Sequence, residues 1–382
     1  MLNVQTFLVN HGLNTLVEQY KIKVSDYPDR VVLNYDQIES PRFDPICDEC
    51  RGLILAKDDR WSVMARSFSR FYNVGEDPNT ASFPIQDKYT RVEQKIDGSI
   101  LTLYWDWFNK KWQCSTRSMA FAEGSTVIGN TFAQVFEKAI EGTVLRGSIS
   151  LCSSDWCFVF ELCSPETRVV TPFTDYQVSL LAIRDLKTDL ELSGDEVDTF
   201  SKMSKVKRPL RIEADSIEKV IEEANKLPAM QEGFVIISEK EKVFWRLKCK
   251  NTKYLAVARL RNNGVLSPKR MLHLIMENDH YEYLQYFPED SKYFNFIETE
   301  YKDALECVEV LWEKYNNLVS QKDFALSIIQ ECHYDWQKGV LFNMRKGLSL
   351  TQAMKMSDPK KIAKIMNFQE KLKNKFNIEI SD

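Results

Sequence analysis

The periodicity of this chain changes near residue 260, and that change dictates two architectures rather than one. Upstream, short apolar runs recur at strand spacing. They include Arg30-Val31-Val32-Leu33-Asn34-Tyr35, Ile100-Leu101-Thr102-Leu103-Tyr104-Trp105, Phe158-Val159-Phe160 and the stretches 176–184, 232–237 and 243–250. Helical spacing is limited there to a short start (Phe7, Leu8, Leu13, Leu16, Val17) and to residues 121–140. Downstream, Phe294, Ile297, Tyr301, Leu305, Val308, Leu311, Tyr315 and Leu318 repeat with helical period. Two further helical stretches are predicted over 324–346 and 350–376, with Asp358-Pro359 as a restart. Asn262-Asn263-Gly264 and Pro268 mark the break, so a strand-rich domain over 1–258 and an all-helical unit over 259–382 are expected.

Composition narrows the function classes. With 382 residues, 28% charged and 44% hydrophobic, the chain can bury a large core and has little that reads as disordered. A net charge of -4 gives no global attraction to nucleic acid, so any such binding needs local basic patches. No apolar run approaches a membrane span and the first residues lack a secretion signal. Nine cysteines, an odd number, fit free thiols in a reducing cytoplasm. Cys47 and Cys50 form one C-x-x-C pair, but Cys152, Cys157 and Cys163 have the wrong spacing to complete a zinc site, and buried thiols are expected instead.

The chemistry-bearing groups sit at strand ends. Glu93-Gln94-Lys95-Ile96-Asp97-Gly98-Ser99 leads straight into an apolar strand, and Gly98 lets backbone approach a ligand closely. Arg51 and Arg70 stand at the mouths of upstream segments, as surface charges or as guanidinium forks for phosphate. Glu161 interrupts a near-continuous apolar strand, either on an edge facing water or beside a cation. Glu232 opens another strand. Lys248 and Lys250, two apart, share a face, solvated or functional. P-loop and dinucleotide fingerprints are absent, so a nucleotide would be held by Lys and Arg on phosphate and by carboxylates on magnesium. A lysine nucleophile must be neutral, and nearby cations would depress the pKa of Lys95.

Taken in order, Lys95-Ile96-Asp97-Gly98-Ser99, Phe160-Glu161, Glu232-Gly233-Phe234-Val235 and Leu247-Lys248-Cys249-Lys250 resemble the covalent nucleotidyltransferases, the superfamily of ATP-dependent ligases and capping enzymes. Glu49-Cys50-Arg51-Gly52, Arg70-Phe71-Tyr72-Asn73 and residues 164–170 narrow the resemblance to the bacteriophage T4 RNA ligase 1 family. It implies an α+β fold, an adenylyltransferase domain on antiparallel sheets with flanking helices, followed by an all-α C-terminal domain that selects the RNA substrate. It further implies an ATP-dependent RNA ligase, sealing 5′-phosphate and 3′-hydroxyl ends through lysyl-AMP and adenylylated RNA, with nicked tRNA as a candidate substrate and no obligate protein partner. DNA ligase, capping-type nucleotidyltransferase and non-catalytic RNA-binding relative stand as alternatives.

By the same resemblance Lys95 would carry AMP. Asp97, Glu161 and Glu232 would hold Mg2+ through its waters, with Mn2+ able to substitute. Lys248 would contact the α-phosphate and Lys250 would assist the leaving group. Arg51, Arg70, Gly98 and Arg117 would complete the ATP site, although Arg70 and Arg117 stand where the family commonly has lysine, which alters the fork geometry. Tyr254 falls at the family's usual offset after the lysine pair, where core packing explains it nearly as well. The basic residues Lys202, Lys205, Lys207, Arg208 and Arg211, and the lysine-rich 355–375 stretch, read as solvated faces or as RNA contacts.

Overall fold

Runs rich in Val, Ile, Leu and Phe fold into fourteen strands and fifteen α-helices in the computed structural model, which describes residues 1–126, 128–239, 244–260 and 267–376. Two units separate, Met1–Ala256 and Val257–Asp382. The break expected at Asn262-Asn263-Gly264, and Val243 at the head of the last strand, lie outside the described residues.

Three sheets build the first unit. The first holds β1 (Ile22–Asp26), β2 (Arg30–Tyr35), β3 (Arg51–Ala56) and β4 (Val63–Ala65), in that order and antiparallel throughout. Its outer face is covered by α1 (Asn3–Tyr20) and α2 (Pro45–Glu49), with Val4, Leu8, Leu16, Val31, Leu33 and Leu53 in one core. The central sheet orders β11 (Leu190–Glu191), β10 (Gln177–Asp185), β9 (Trp156–Cys163), β7 (Ser99–Asp106) and β8 (Lys111–Thr116), again antiparallel. One face packs on α3 (Phe132–Ala139), α4 (Leu145–Ser150) and α5 (Gly194–Ser204); the other meets the first sheet through Tyr104, Cys157, Val32, Ile54 and Met64. The third sheet orders β12 (Arg211–Ile212), β6 (Thr90–Lys95), β13 (Gly233–Ser238), β14 (Trp245–Lys250) and β5 (Tyr72–Asn73), with only the β14–β5 pair parallel. Beneath it lies α6 (Ile217–Lys226), whose Val220 and Ala224 pack on Phe234, Ile236 and Leu247.

A buried ion pair pins the first sheet to the central one. Arg30 on β2 is fully buried and donates to Asp106 on β7 at 2.9 and 3.1 Å, and to the Tyr104 hydroxyl at 3.0 Å. Asp29 occupies the remaining edge of the fork. Such a charge is tolerable only with all its donors met.

The helical prediction over 121–140 is too long. Helix begins only after Thr131, whose hydroxyl accepts from the Gln134 backbone N–H, because Gly124 and Gly129 upstream serve a turn closed by a Ser125–Thr131 bridge. After α7 (Thr252–Leu260), the second unit contains α8 (Pro268–Glu277), α9 (His280–Tyr286), α10 (Ser291–Tyr315), α11 (Gln321–Glu331), α12 (Asp335–Arg345), α13 (Leu350–Lys355), α14 (Pro359–Ile365) and α15 (Phe368–Phe376). The two predicted late helices are thus five, three of them started by a side-chain cap: Ser320, Ser349 and Asp358 accept from backbone N–H groups. Phe294, Ile297, Tyr301, Val308 and Leu311 form the buried stripe of α10, while Leu318 lies past its end.

Removing one partner of the Arg30–Asp106 pair leaves an uncompensated buried charge. Asp106→Ala is expected to cost about 3 to 5 kcal/mol, read as a lowered midpoint in urea unfolding followed by tryptophan fluorescence; an unchanged midpoint would mean the pair is not a structural pin.

Candidate active site

Strand register, not loop shape, gathers the first charged groups. Across the third sheet Gly233 on β13 pairs with Lys95 on β6 on one side and with Lys250 on β14 on the other. Glu232 precedes that glycine and is therefore flanked by two lysines. Its carboxylate takes Lys95 Nζ at 2.6 Å and Lys250 Nζ at 2.8 Å. Gly233 has φ +135°, and a Cβ there would stand 2.1 Å from the Cys249 carbonyl oxygen, so no side chain fits between the lysines.

Past Lys95 the chain leaves the third sheet and enters the central one as β7, so residues 96–98 bridge the two. Gly98 makes this crossing possible, since a Cβ would meet the Leu162 carbonyl oxygen at 2.4 Å and Cys163 Sγ at 2.8 Å. Its N–H donates to Glu161 Oε1 at 3.1 Å. Glu161 is not on an edge: β9 lies between β10 and β7, and Glu161 pairs with Ile100. Asp97 is buried behind the crossing. Its Oδ2 accepts from the Val170 and Thr171 N–H groups at 2.9 and 2.6 Å, and its Oδ1 from the Tyr254 hydroxyl at 2.7 Å. Tyr254 is thus both core and partner.

A cleft of about 460 Å³ opens over these groups. Lys95, Gly98, Glu161, Glu232, Lys248 and Lys250 line it, joined by Arg51 and Arg117 from other segments. Arg51 Nη1 is buried with no hydrogen-bond partner, and its guanidinium lies 5.5 Å from the Phe71 ring centroid. Arg117 stacks on Tyr35 at 4.6 Å and donates to Asn34 Oδ1 at 3.1 Å. Lys248 Nζ sits 4.5 Å over the Phe71 ring.

These neighbours set the protonation states. Burial pulls the Lys95 ammonium down, but Glu232, Glu161 and Asp97 more than offset it, leaving its pKa above the ordinary lysine value. The expected depression by cations is therefore corrected: Lys95 rests charged, locked on Glu232. The depressed lysine is Lys248, brought to about 7 by burial and by the charges of Arg51, Lys95 and Lys250. Burial raises Glu161 to about 7 despite Lys95 nearby. Glu232 ends below its usual range, burial being outweighed by Lys95 and Lys250.

Two expected site residues stand apart. Arg70 lies outside the residues lining the cleft, stacked 4.2 Å over Tyr35 with one weak donation to the Pro41 carbonyl at 3.5 Å. Asp97 has both oxygens taken by backbone N–H groups and a tyrosine hydroxyl behind the crossing, whereas the oxygens of Glu232 meet the two cleft lysines and Glu161 accepts from the Gly98 N–H. Among the described residues no three His, Cys, Asp or Glu side chains converge as a metal cage. The donor set instead suits a hydrated cation shared with phosphate oxygens, because Glu161 is a half-buried acid on the cleft wall that accepts from the Gly98 N–H. All nine cysteines are free, and Cys47 and Cys50 pack in the core under α1. Arg208 and Arg211 are spent on Glu93 and Asp198 rather than offered to a nucleic acid.

Three cleft residues escaped the sequence reading. Arg246 shares the alternating face of Lys248 and Lys250 on β14, so strand alternation alone places it beside them. It is held by Glu191 and stacks on Phe68 at 4.3 Å. Phe68 and Phe71 sit within the arginine segment and give the cleft its apolar wall; nothing in their spacing distinguishes a wall from a core.

Comparison with known proteins gives the family. The family model described as RNA ligase, of the T4 RNA ligase 1 type, matches residues 49–254. A baculovirus protein of Autographa californica nuclear polyhedrosis virus, named as a bifunctional polynucleotide kinase/RNA ligase, is 30% identical over 307 residues, covering 75% of this chain and 42% of that protein. The RNA ligase of Rhodothermus phage RM378 is 23% identical over 334 residues, covering 73% of this chain and 72% of its own. Among solved structures, an archaeal ATP-dependent RNA ligase aligns with TM-score 0.43 at 12% identity, over 72% of this chain and 68% of that one. A mutant Naegleria gruberi RNA ligase solved with ATP and Mn gives TM-score 0.36 at 15% identity, over 47% and 54%. The family match alone spans more than half of the 382 residues, and by it the chain belongs to the RNA ligase family of the T4 RNA ligase 1 type.

Proposed function

We propose that this chain is an ATP-dependent RNA ligase whose nucleophile is Lys95. The observation that carries the reading is the Lys95–Glu232–Lys250 row beneath a cleft that also holds a partnerless guanidinium nitrogen of Arg51. Lys95 Nζ attacks the α-phosphorus of ATP, the bond to the pyrophosphate oxygen breaks, and lysyl-AMP forms. The adenylate then passes to the 5′-phosphate of an RNA end, and a 3′-hydroxyl displaces AMP to close the phosphodiester. Single-stranded or nicked-loop RNA, nicked tRNA included, is the substrate class.

The side chains divide the work by charge. Arg51, Arg117 and Lys248 meet phosphate oxygens, and Lys250 faces the charge that develops on the leaving group. Resting Lys95 is an ammonium, so its proton must depart before attack. Asp97 serves as a positioning residue, tying the 96–98 crossing to residues 170–171 and Tyr254. A bound Mg2+ or Mn2+ would be held by Glu161 and Glu232 and would supply neutralisation of phosphate charge. The second unit is proposed to select the RNA.

With labelled ATP and a divalent ion, the denatured protein should retain label, and Lys95→Ala should abolish it; a variant labelled as well as wild type would exclude Lys95. A matched pair of 5′-phosphorylated RNA and DNA strands should be sealed only as RNA, and preferential sealing of DNA would overturn the substrate class.

Two pH dependences follow from the resting charges. At saturating ATP the single-turnover rate of adduct formation should rise about tenfold per pH unit through the neutral range, since only the neutral amine attacks and Lys95 lies above its ordinary value. A flat profile would contradict the resting ammonium. ATP affinity should do the opposite. Lys248, at about 7 in the free protein, must be charged against phosphate, so binding above pH 7 takes up a proton and weakens as pH rises. Lys248→Arg should remove that dependence, as measured by calorimetry in buffers of different ionisation enthalpy; a dependence that survives would assign it to another group.

A further inference from the structure

A second cleft, of about 580 Å³, lies within the helical unit, where the start of α8 meets α14. Lys269 from α8 and Lys360 and Lys364 from α14 line it, with Ser267 and Asn367 at its edges. All three lysines are exposed. Lys360 and Lys364 are four apart on one helix, a spacing at which like charges repel, and among the described residues no carboxylate lines the cleft to offset them.

Other lysines of this unit are treated differently. Lys302 pairs with Glu298, Lys314 with Glu331, Lys338 with Asp335 and Lys371 with Glu300. No ion pair is formed by Lys269, Lys360 or Lys364 among the described residues. Three unneutralised ammonium groups around one concavity call for an anion from outside the chain. The space exceeds what a single phosphate fills. The apolar lining residues Pro268 and Ala363 are buried, so the cleft lacks the exposed apolar centre a protein partner would pack against.

We propose that this cleft grips the phosphate backbone of the RNA substrate, as a contact separate from the nucleotidyl-transfer site. The proposal rests on the RNA ligase reading and adds the place where strand phosphates are held. Lysine suits such sequence-independent contacts, as a compact charge without fork geometry.

The experiment uses the full chain with Lys269, Lys360 and Lys364 all changed to alanine, and separately all changed to arginine. Binding of a labelled nicked stem-loop RNA is measured against salt, and adduct formation from labelled ATP is measured alongside. The alanine variant should bind at least about tenfold more weakly at moderate salt and lose roughly 2 from the slope of log affinity on log salt, at about 0.7 per phosphate contact. The arginine variant should keep both, and all three proteins should label alike with ATP. Unchanged RNA affinity and slope in the alanine variant would overturn the proposal. So would discrimination of polyglutamate but not RNA, which would assign the cleft to an acidic protein. Wild-type protein that fails to label, yet shows the lysine-dependent salt slope, would instead sink the ligase reading and leave the phosphate grip standing.

Discussion

The carboxylate of Glu232 holds the site together. Strand register delivers Lys95 and Lys250 to its two oxygens, and the space between them exists only because Gly233 has no side chain. Everything nearby is arranged around that shared charge. Lys95 is kept protonated by it, Lys248 has no carboxylate paired with it among the described residues and falls to about 7 through burial and its cationic neighbours, and Glu161 is raised because burial outweighs its cationic neighbours. A single negative group thus leaves two lysines of one sheet, Lys95 and Lys248, in different states.

The sheets explain why such a site is affordable in stability. The third sheet supplies Glu232, Lys95, Lys248 and Lys250, and the central sheet supplies Glu161 and the backbone against which Gly98 closes. Behind the crossing, Asp97 gathers two backbone N–H groups and a tyrosine hydroxyl, so the bend in the chain is fixed from the protein side while Lys95 stays on the cleft side. Farther out, the buried Arg30–Asp106 pair joins the first sheet, with Arg51 at the start of its β3, to the central one, with Arg117 just past its β8. Positioning by several strands at once suits chemistry in which little covalent work is needed beyond orientation and charge stabilisation.

Much of this was legible in the residues. Eight of the expected site residues line one cleft, and the α-helical spacing of Phe294 to Leu311 matches the buried stripe of α10. Strand alternation sufficed to place Lys248 and Lys250 together, and it would have placed Arg246 with them. Three things were not legible. The sign of the Lys95 shift depends on which charge is nearest, and only cross-strand register reveals that Glu232 outranks the cations. The start of α3 was hidden because apolar spacing continues through a glycine-bearing turn. Arg70 looked like a phosphate fork, yet its guanidinium is stacked on Tyr35 away from the cleft lining, a choice set by tertiary packing alone.

The central claim is that position 95 captures adenylate covalently. Peptide mapping by mass spectrometry after incubation with ATP and a divalent ion addresses it without any variant. The account predicts one modified peptide, carrying a single adenylate on the lysine of Gln94-Lys95-Ile96 and cleared when pyrophosphate is added. Adenylate on a different lysine, or bound nucleotide with no adduct on any peptide, would contradict it.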